Sequence, residues 1–413
     1  MPTGPAGAAQ EVTPEVPVAT GGGAPGDLVL EVEAAREEET GGVDPALLAP
    51  AIADLPQLEG LALRQVSSAV SGEPDPSVER LEPLATFEGL EVEFYEERHP
   101  DGSLRLQGHR TTLEDGSTRL HGPEWRWFAN GQLHLRRQLR LGRIDGPFEE
   151  WHEGGLKKAE GGYVEDFANG TWVRWVSVGA LWKVSPLVRG KAEGVELVLF
   201  DSGTVNQRIE WRDGQKHGIE RVWSRRGLPL EVSGWKEGRR HGTRRQWHGR
   251  GIISLEAEFV DGKRQGPYRQ NWKNGAPHLV GRYEAGQRVG EWRQTAEDGT
   301  LLAIEGYAAG QLDGEVRRWN AEGILVFEGQ YAAGTPVGVQ RRFFDGGGPE
   351  AEETYVDGVL EGPLTTWHPT GGKASEGEMV AGKREGMWTQ WDRSGEVLEA
   401  WSGLYRDGQR VRD

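Results

Sequence analysis

The chain has 413 residues, 36% of them hydrophobic, with 62 glycines, 17 tryptophans, no cysteine and a formal net charge of −17. Glycine at about twice its usual share, with so few apolar residues, argues against one thick globular core. The missing cysteine excludes disulfides, thiolate zinc sites and lipid attachment through cysteine. The acidity is local, because residues 1–88 carry 16 acidic and 3 basic side chains while the remainder carries 49 and 45. Overall charge therefore says little about partners.

Residues 1–42 are rich in Pro, Gly, Ala, Glu and Thr and include the run Glu37, Glu38 and Glu39. Such a segment buries too little apolar surface to offset its ordering entropy, which predicts a disordered tail. Residues 43–88 differ. Leu47, Leu48, Ile52, Leu55, Leu58 and Leu61 predict a short amphipathic helix after Asp44-Pro45, limited by Pro50 and Pro56 and followed by linker from residue 71. The first basic residue is Arg36, so no signal peptide is read, and no run reaches the ~18–20 apolar residues of a membrane span. The expected location is cytoplasmic, or outside the cell if a leader precedes this sequence.

From residue 89 onward the chain is periodic. A degenerate first repeat, 89–121, is nine residues longer than the period. Glycine then recurs every 24 residues from Gly122 to Gly386. A second series follows nine residues later: Gly131, Gly155, Gly179, Gly203, Gly227, Gly251, Gly275, Gly299, Gly323, Gly347, Gly371 and Gly395. A third series includes Gly142, Gly190, Gly262 and Gly382, with Asp166 standing where one of its glycines is due. Residues 122–413 thus read as twelve tandem units, the last stretched so that it closes at Gly408. A fixed short period means a repeat architecture in which each unit contacts mainly its neighbours.

Within a unit, Gly122-Pro-Glu-Trp-Arg-Trp-Phe-Ala-Asn-Gly131 reads as a short aromatic strand and a turn. Glycine after Asn, Asp or Glu, as at Gly275, Gly299 and Gly323, is a hairpin signal because the turn needs positive φ. A second strand follows, and a glycine-bracketed connector such as Gly262-Lys-Arg-Gln-Gly266 leads onward. Helices have no room. One aromatic column holds Trp127, Trp151, Trp175, Trp223, Trp247, Trp319, Phe343, Trp367 and Trp391, interrupted by Asn271 and Thr295. Another holds Tyr163, Trp211, Trp235, Phe259, Tyr283, Tyr307, Tyr331 and Tyr355. Both are expected to stabilise the sheet through cross-strand contacts. Replacing Gly275 or Gly299 by Val is expected to strain a turn, and replacing Gly234, outside the three series, to matter less.

The consensus Gly-x-Trp-x-x-Trp-x-x-Asn-Gly-x-Leu, then Glu-Gly-x-Tyr-x-x-Gly-x-x-x-Gly, resembles the MORN repeat, and more closely its bacterial variant. The resemblance covers about residues 89–413. It implies hairpins laid side by side in one elongated, twisted antiparallel sheet, hence an all-β array, and a scaffold or partner-binding role. Some bacterial proteins with this variant repeat are classed as YwqK-type antitoxins, which supplies an alternative: a protein that masks a toxin.

The sequence offers few residue patterns that carry chemistry. His121, His217 and His241 each precede a leading glycine, which suggests a turn position rather than a metal site, and no metal-ligand spacing occurs. Gly371-Gly372-Lys373-Ala374 lacks the Ser/Thr and spacing of a phosphate loop. Asn169-Gly170-Thr171 coincides with the connector, and Glu352 and Glu353 have no burial argument behind them. No catalytic residue, metal, cofactor or small-molecule substrate is expected, and the chain is read as a non-enzyme. One feature stands out: residues 204–273 carry 16 basic against 8 acidic side chains. Arg225, Arg226, Arg239, Arg240, Arg244 and Arg245 are its candidate partner-binding residues, placed mainly in turns. The expected partner is another protein bound along the sheet. Alternatively this band binds anionic lipid or nucleic acid, with the acidic tail a competitor for it within the same chain.

Overall fold

The computed structural model describes residues 80–249 and 251–411. The expected tail, and the helix-prone segment as far as residue 79, lie outside the described residues. Within them there is no helix. One antiparallel sheet runs from Glu93–Arg98 to Gln409–Arg410, each strand pairing with its sequence neighbours. The one addition is at Leu181–Val188, which pairs with both Lys191–Ala192 and Gly194–Leu199. No ladder joins the first strand to the last, so the sheet stays open between two edges and does not close into a barrel.

Two kinds of hairpin alternate. At Gly275 the amide donates to Trp272 O at 3.0 Å, Trp272 N donates to Ala276 O at 2.8 Å, and φ is 87°. This is the loop in which a tight turn ends in a left-handed glycine bulge. Asn274 adds to it: Oδ1 accepts from Ala276 N at 2.8 Å and Nδ2 donates to Glu297 O, in the next turn of the same margin, at 2.7 Å. The connectors, in contrast, are tight hairpin turns in their own right. Glu284 pairs with Gln287, leaving only Ala285 and Gly286 in the loop, at φ 48° and 89°. Both positive values define a type I′ turn, whose twist matches that of the flanking strands.

The first position of each such turn is a residue other than glycine, from Leu141 through Asp261 to Asp407. A left-handed L-residue costs roughly 1–2 kcal/mol. Stacking of successive turns offsets part of it, as where Gly286 N donates to Arg264 O at 2.8 Å. Asp166 adopts φ 69°, and its carboxylate accepts from Ile144 N at 2.7 Å, so the departure from glycine is accommodated by a side-chain bond. The leading glycines sit in strands at bulges. Gly266 has φ 85° where the ladder slips between Ala257 and Phe259.

The sheet is a single layer, and burial comes from side chains lying against their neighbours along the strand rows. The two aromatic columns lie on opposite faces. On one, Val173, Trp175, Val184, Leu197, Leu199, Val205 and Trp223 form a cluster; on the other, Ala257, Phe259, Tyr268, Tyr283 and Trp292 form a second. The buried side of the sheet therefore changes face between these stretches. Arginines extend the second cluster: Arg264 stacks on Tyr268 and Tyr283, and Arg288 on Trp292 and Tyr307.

Small residues make room for large ones. A Cβ added at Gly161, Gly281 or Gly377 would meet the ring of Trp172, Trp292 or Trp388 within 2.5 Å. The expectation for Gly234 is overturned. A Cβ there would stand 2.1 Å from the His241 carbonyl oxygen, so this glycine is required by close backbone approach, without any positive φ. Periodicity alone could not reveal that contact.

The degenerate first repeat is a cap. Its hairpin closes through a longer turn, Leu113 N donating to Ser117 O at 2.9 Å. The segment from Leu81 to Phe87 lies over its first strands. Leu81 N donates to Gln107 Oε1 at 3.0 Å, Leu84 N to His109 Nε2 at 3.0 Å, and His121 Nε2 reaches Phe87 O at 3.0 Å. His109 and His121 are each 1% exposed. Terminal repeats need such a cap because no neighbour covers their outer side.

Candidate binding face

The six candidate arginines do not form one band. Arg225 and Arg226 occupy the turn after Trp223, where Arg225 pairs with Asp201 and stacks on Phe200 at 5.0 Å. The other four belong to the strand Arg239–Trp247 rather than to turns, and alternation sends them to different faces. Arg239 flanks the turn at Glu237-Gly238, opposite Lys236.

Arg240 and Arg244 point to the aromatic face and converge on Glu231. Arg240 Nη1 donates at 2.9 Å, and Arg244 grips both carboxylate oxygens at 3.0 and 3.1 Å. Ser233 Oγ and Gln246 Nε2 donate to the same carboxylate at 2.6 and 2.7 Å. Burial pushes the Glu231 carboxyl upward, but the hydrogen bonds from Arg244, Ser233, Arg240 and Gln246 outweigh it and hold its pKa at about 2. This is a closed structural network. Arg245 projects to the opposite face, its Nε donating to Glu256 Oε1 at 2.8 Å.

Arg245 leads to a feature that the sequence reading passed over. Pair by pair, one residue from each strand forms a row across that opposite face. Arg208 stands beside Arg221, then Val232, Arg245, Glu256, Arg269, Val280, Arg293, Ile304 and Arg317. From Arg221 to Arg317 the arginines are 24 residues apart, so the signal was present in the sequence. A charge balance along the chain does not show it, because the row exists only across the strands. The row continues through Glu328, Arg341, Glu352, Thr365 and Glu376, and so turns acidic.

The arginines of the row are held unequally. Arg293 and Arg317 are paired along their own strands with Glu291 and Glu315, at 2.5 Å each, and their side chains are 62% and 44% exposed. Arg269 is exposed and donates to Asn271 Oδ1 at 2.9 Å. Asn271 and Thr295 are the two breaks in the aromatic column, and the neighbouring indole, Trp272, packs on His278 and donates to Thr295 O at 3.0 Å. Arg341, at the acidic end, is clamped between Glu328 and Glu352 at 3.0 and 2.7 Å.

The three histidines lie in strands, not turns. His121 is buried in the cap, and His241 Nδ1 stands 3.5 Å from Asp261 Oδ1. Among the described residues no group of His, Cys, Asp or Glu could hold a metal ion, and no helix is long and apolar enough to cross a membrane. Tyr95 is pushed up to about 12 by burial and by the neighbouring Glu124 carboxylate, which suits a structural phenol.

No family model and no curated protein matches the chain. Among solved structures it is similar to the crystal structure of TcdB2-TccC3-Cdc42, at 11% identity over 74% of this chain and 19% of that one, with a TM-score of 0.15. The similarity to TcdB2-TccC3-TEV is of the same order: 12% identity, 75% and 18% coverage, and a TM-score of 0.16. The chain spans about a fifth of the length of each.

Proposed function

We propose that this protein is a non-enzymatic repeat scaffold of the MORN type that binds another protein along one face of its sheet. The observation that carries this reading is the one-sided burial of the stretch from residue 257 to residue 317. Tyr268, Tyr283, Trp292 and Val316 are buried on one face, while Arg269, Val280 and Arg293 are exposed on the other. An exposed face spread over successive repeats offers a large surface, and repeat proteins bind partners through such surfaces. The glycine series and the two alternating hairpin turns support the MORN resemblance, since each marker glycine answers a specific backbone requirement.

Binding along a face predicts contacts spread over several units. Crosslinking of a captured partner, read by mass spectrometry, should place its contacts in at least three successive repeats on one face. Contacts confined to a single turn, or to one edge strand, would refute the reading.

A further inference from the structure

We infer that the row from Arg208 to Arg317 is a docking track for an extended acidic peptide that crosses the strands; the inference rests on the scaffold reading and specifies its face and partner chemistry. Ten consecutive strands contribute one residue each, so the row spans roughly 43 Å at ~4.8 Å per strand. Six of the ten are arginine and one is Glu256. Arginine thus recurs on alternate strands for most of the row, at intervals of roughly 9.6 Å.

That interval selects among anionic ligands. A polyproline II peptide rises about 3.1 Å per residue with three residues per turn, so every third side chain faces the same way at roughly 9.3 Å. An acidic residue at every third position would present one carboxylate to each arginine. The positions between arginines decide between peptide and nucleic acid. Three of the four hold Val232, Val280 and Ile304, with Val280 37% exposed, and the fourth is Glu256, which pairs with Arg245. Aliphatic side chains suit the apolar residues of a peptide. Single strands of nucleic acid are held on aromatic platforms, and two residues on from Arg269 and Arg293 the chain carries Asn271 and Thr295 in place of an aromatic, while Trp319 follows Arg317.

The carboxylates already present fit a track that stays soluble when empty. Glu291 and Glu315 lie two residues from Arg293 and Arg317 on the same face, in pairs about half exposed. Exposed pairs of this kind contribute little, so an incoming carboxylate can share the guanidinium at small cost. Glu328, Glu352 and Glu376 follow at the far end, where they repel an acidic ligand and fix where it stops.

The test uses the full chain and a fluorescein-labelled peptide of six Glu-Pro-Val repeats, with a Gln-Pro-Val peptide and an eighteen-nucleotide oligothymidine as comparators. The acidic peptide should bind, weaken steeply with salt, and lose at least tenfold in affinity in R269E/R293E/R317E. A matched reversal elsewhere, R105E/R393E/R406E, should leave it within twofold. Should the triple reversal unfold the array, R269Q/R293Q/R317Q removes the charges without adding repulsion and should show the same loss. V280D/I304D should weaken the peptide with every arginine intact. No binding of the acidic peptide, equal binding by the triple variants, or tighter binding of the oligothymidine through the same arginines would each overturn the proposal. If a protein partner crosslinked over several repeats is retained by R269Q/R293Q/R317Q, the scaffold reading survives and the arginine track does not.

Discussion

The stretches 231–246 and 257–292 share one backbone and one face of the sheet, yet they fill that face by different chemistry. In the first, Arg244 occupies the strand position that in the second is held by Tyr268 and Trp292. Ser233 occupies the position held by Ala257 and Gly281. One stretch is closed by a carboxylate gripped by two arginines, the other by aromatic rings seated over small residues. The repeat thus fixes where side chains go and leaves open how each site is satisfied. What it demands is a matched pair, either large with small or charge with charge.

Breaking the aromatic version should have the largest effect. Trp292→Ala removes a side chain 2% exposed at the centre of its cluster, and should cost about 3–5 kcal/mol in urea unfolding of the full chain. Gly281→Ala attacks the same contact from the other side, since its Cβ would meet the indole at 2.3 Å, and should cost about 2–3 kcal/mol. In the Trp292→Ala background the glycine change should cost much less, because the clash has gone; equal costs in both backgrounds would show that the two positions do not form a pair.

The charged version should be sensitive to acid in a way that the aromatic one is not. The pKa of Glu231 lies below its ordinary value, at about 2, so its contribution is complete above about pH 4.5 and is lost as pH falls through about 2. The shift corresponds to a contribution on the order of 3 kcal/mol. Glu231→Gln should remove that much at neutral pH and flatten the acid limb of the stability profile between those pH values. Hydrogen exchange of the strands Pro229–Lys236 and Arg239–Trp247 would localise the loss, and an unchanged acid limb would show that the network carries no linkage.

Gly234 sharpens the comparison further, because it is outside the marker series yet closely packed against backbone. Gly234→Ala should cost about 1–3 kcal/mol, comparable with Gly275→Val at its turn. Thermal unfolding that leaves Gly234→Ala unchanged would show that the close approach of the His241 carbonyl imposes no requirement for glycine. The smallest effect is expected at the turn beside the charged stretch. Arg225→Ala, which opens an exposed pair with Asp201, should stay within about 1 kcal/mol by the same measurement.

The sequence by itself determined the all-β class, the 24-residue period, hairpin turns such as those at Asn274-Gly275 and Asp298-Gly299, and the degenerate first unit. These follow from local requirements: Gly275 must reach positive φ, and alternation within a strand of eight or nine residues separates two faces. Tertiary structure decided what depends on register. The connectors became type I′ turns with Ala285 or Asp261 left-handed, because stacking on the preceding turn compensates a conformation that those residues do not favour alone. The six arginines of residues 225–245 were adjacent in sequence and were divided between a turn, a margin and two faces. The arginines from Arg221 to Arg317 were far apart in sequence and were brought into one row. Strand pairing, unlike composition, places residues 24 apart on alternate strands of the same face, and that geometry decides which charges a partner meets together.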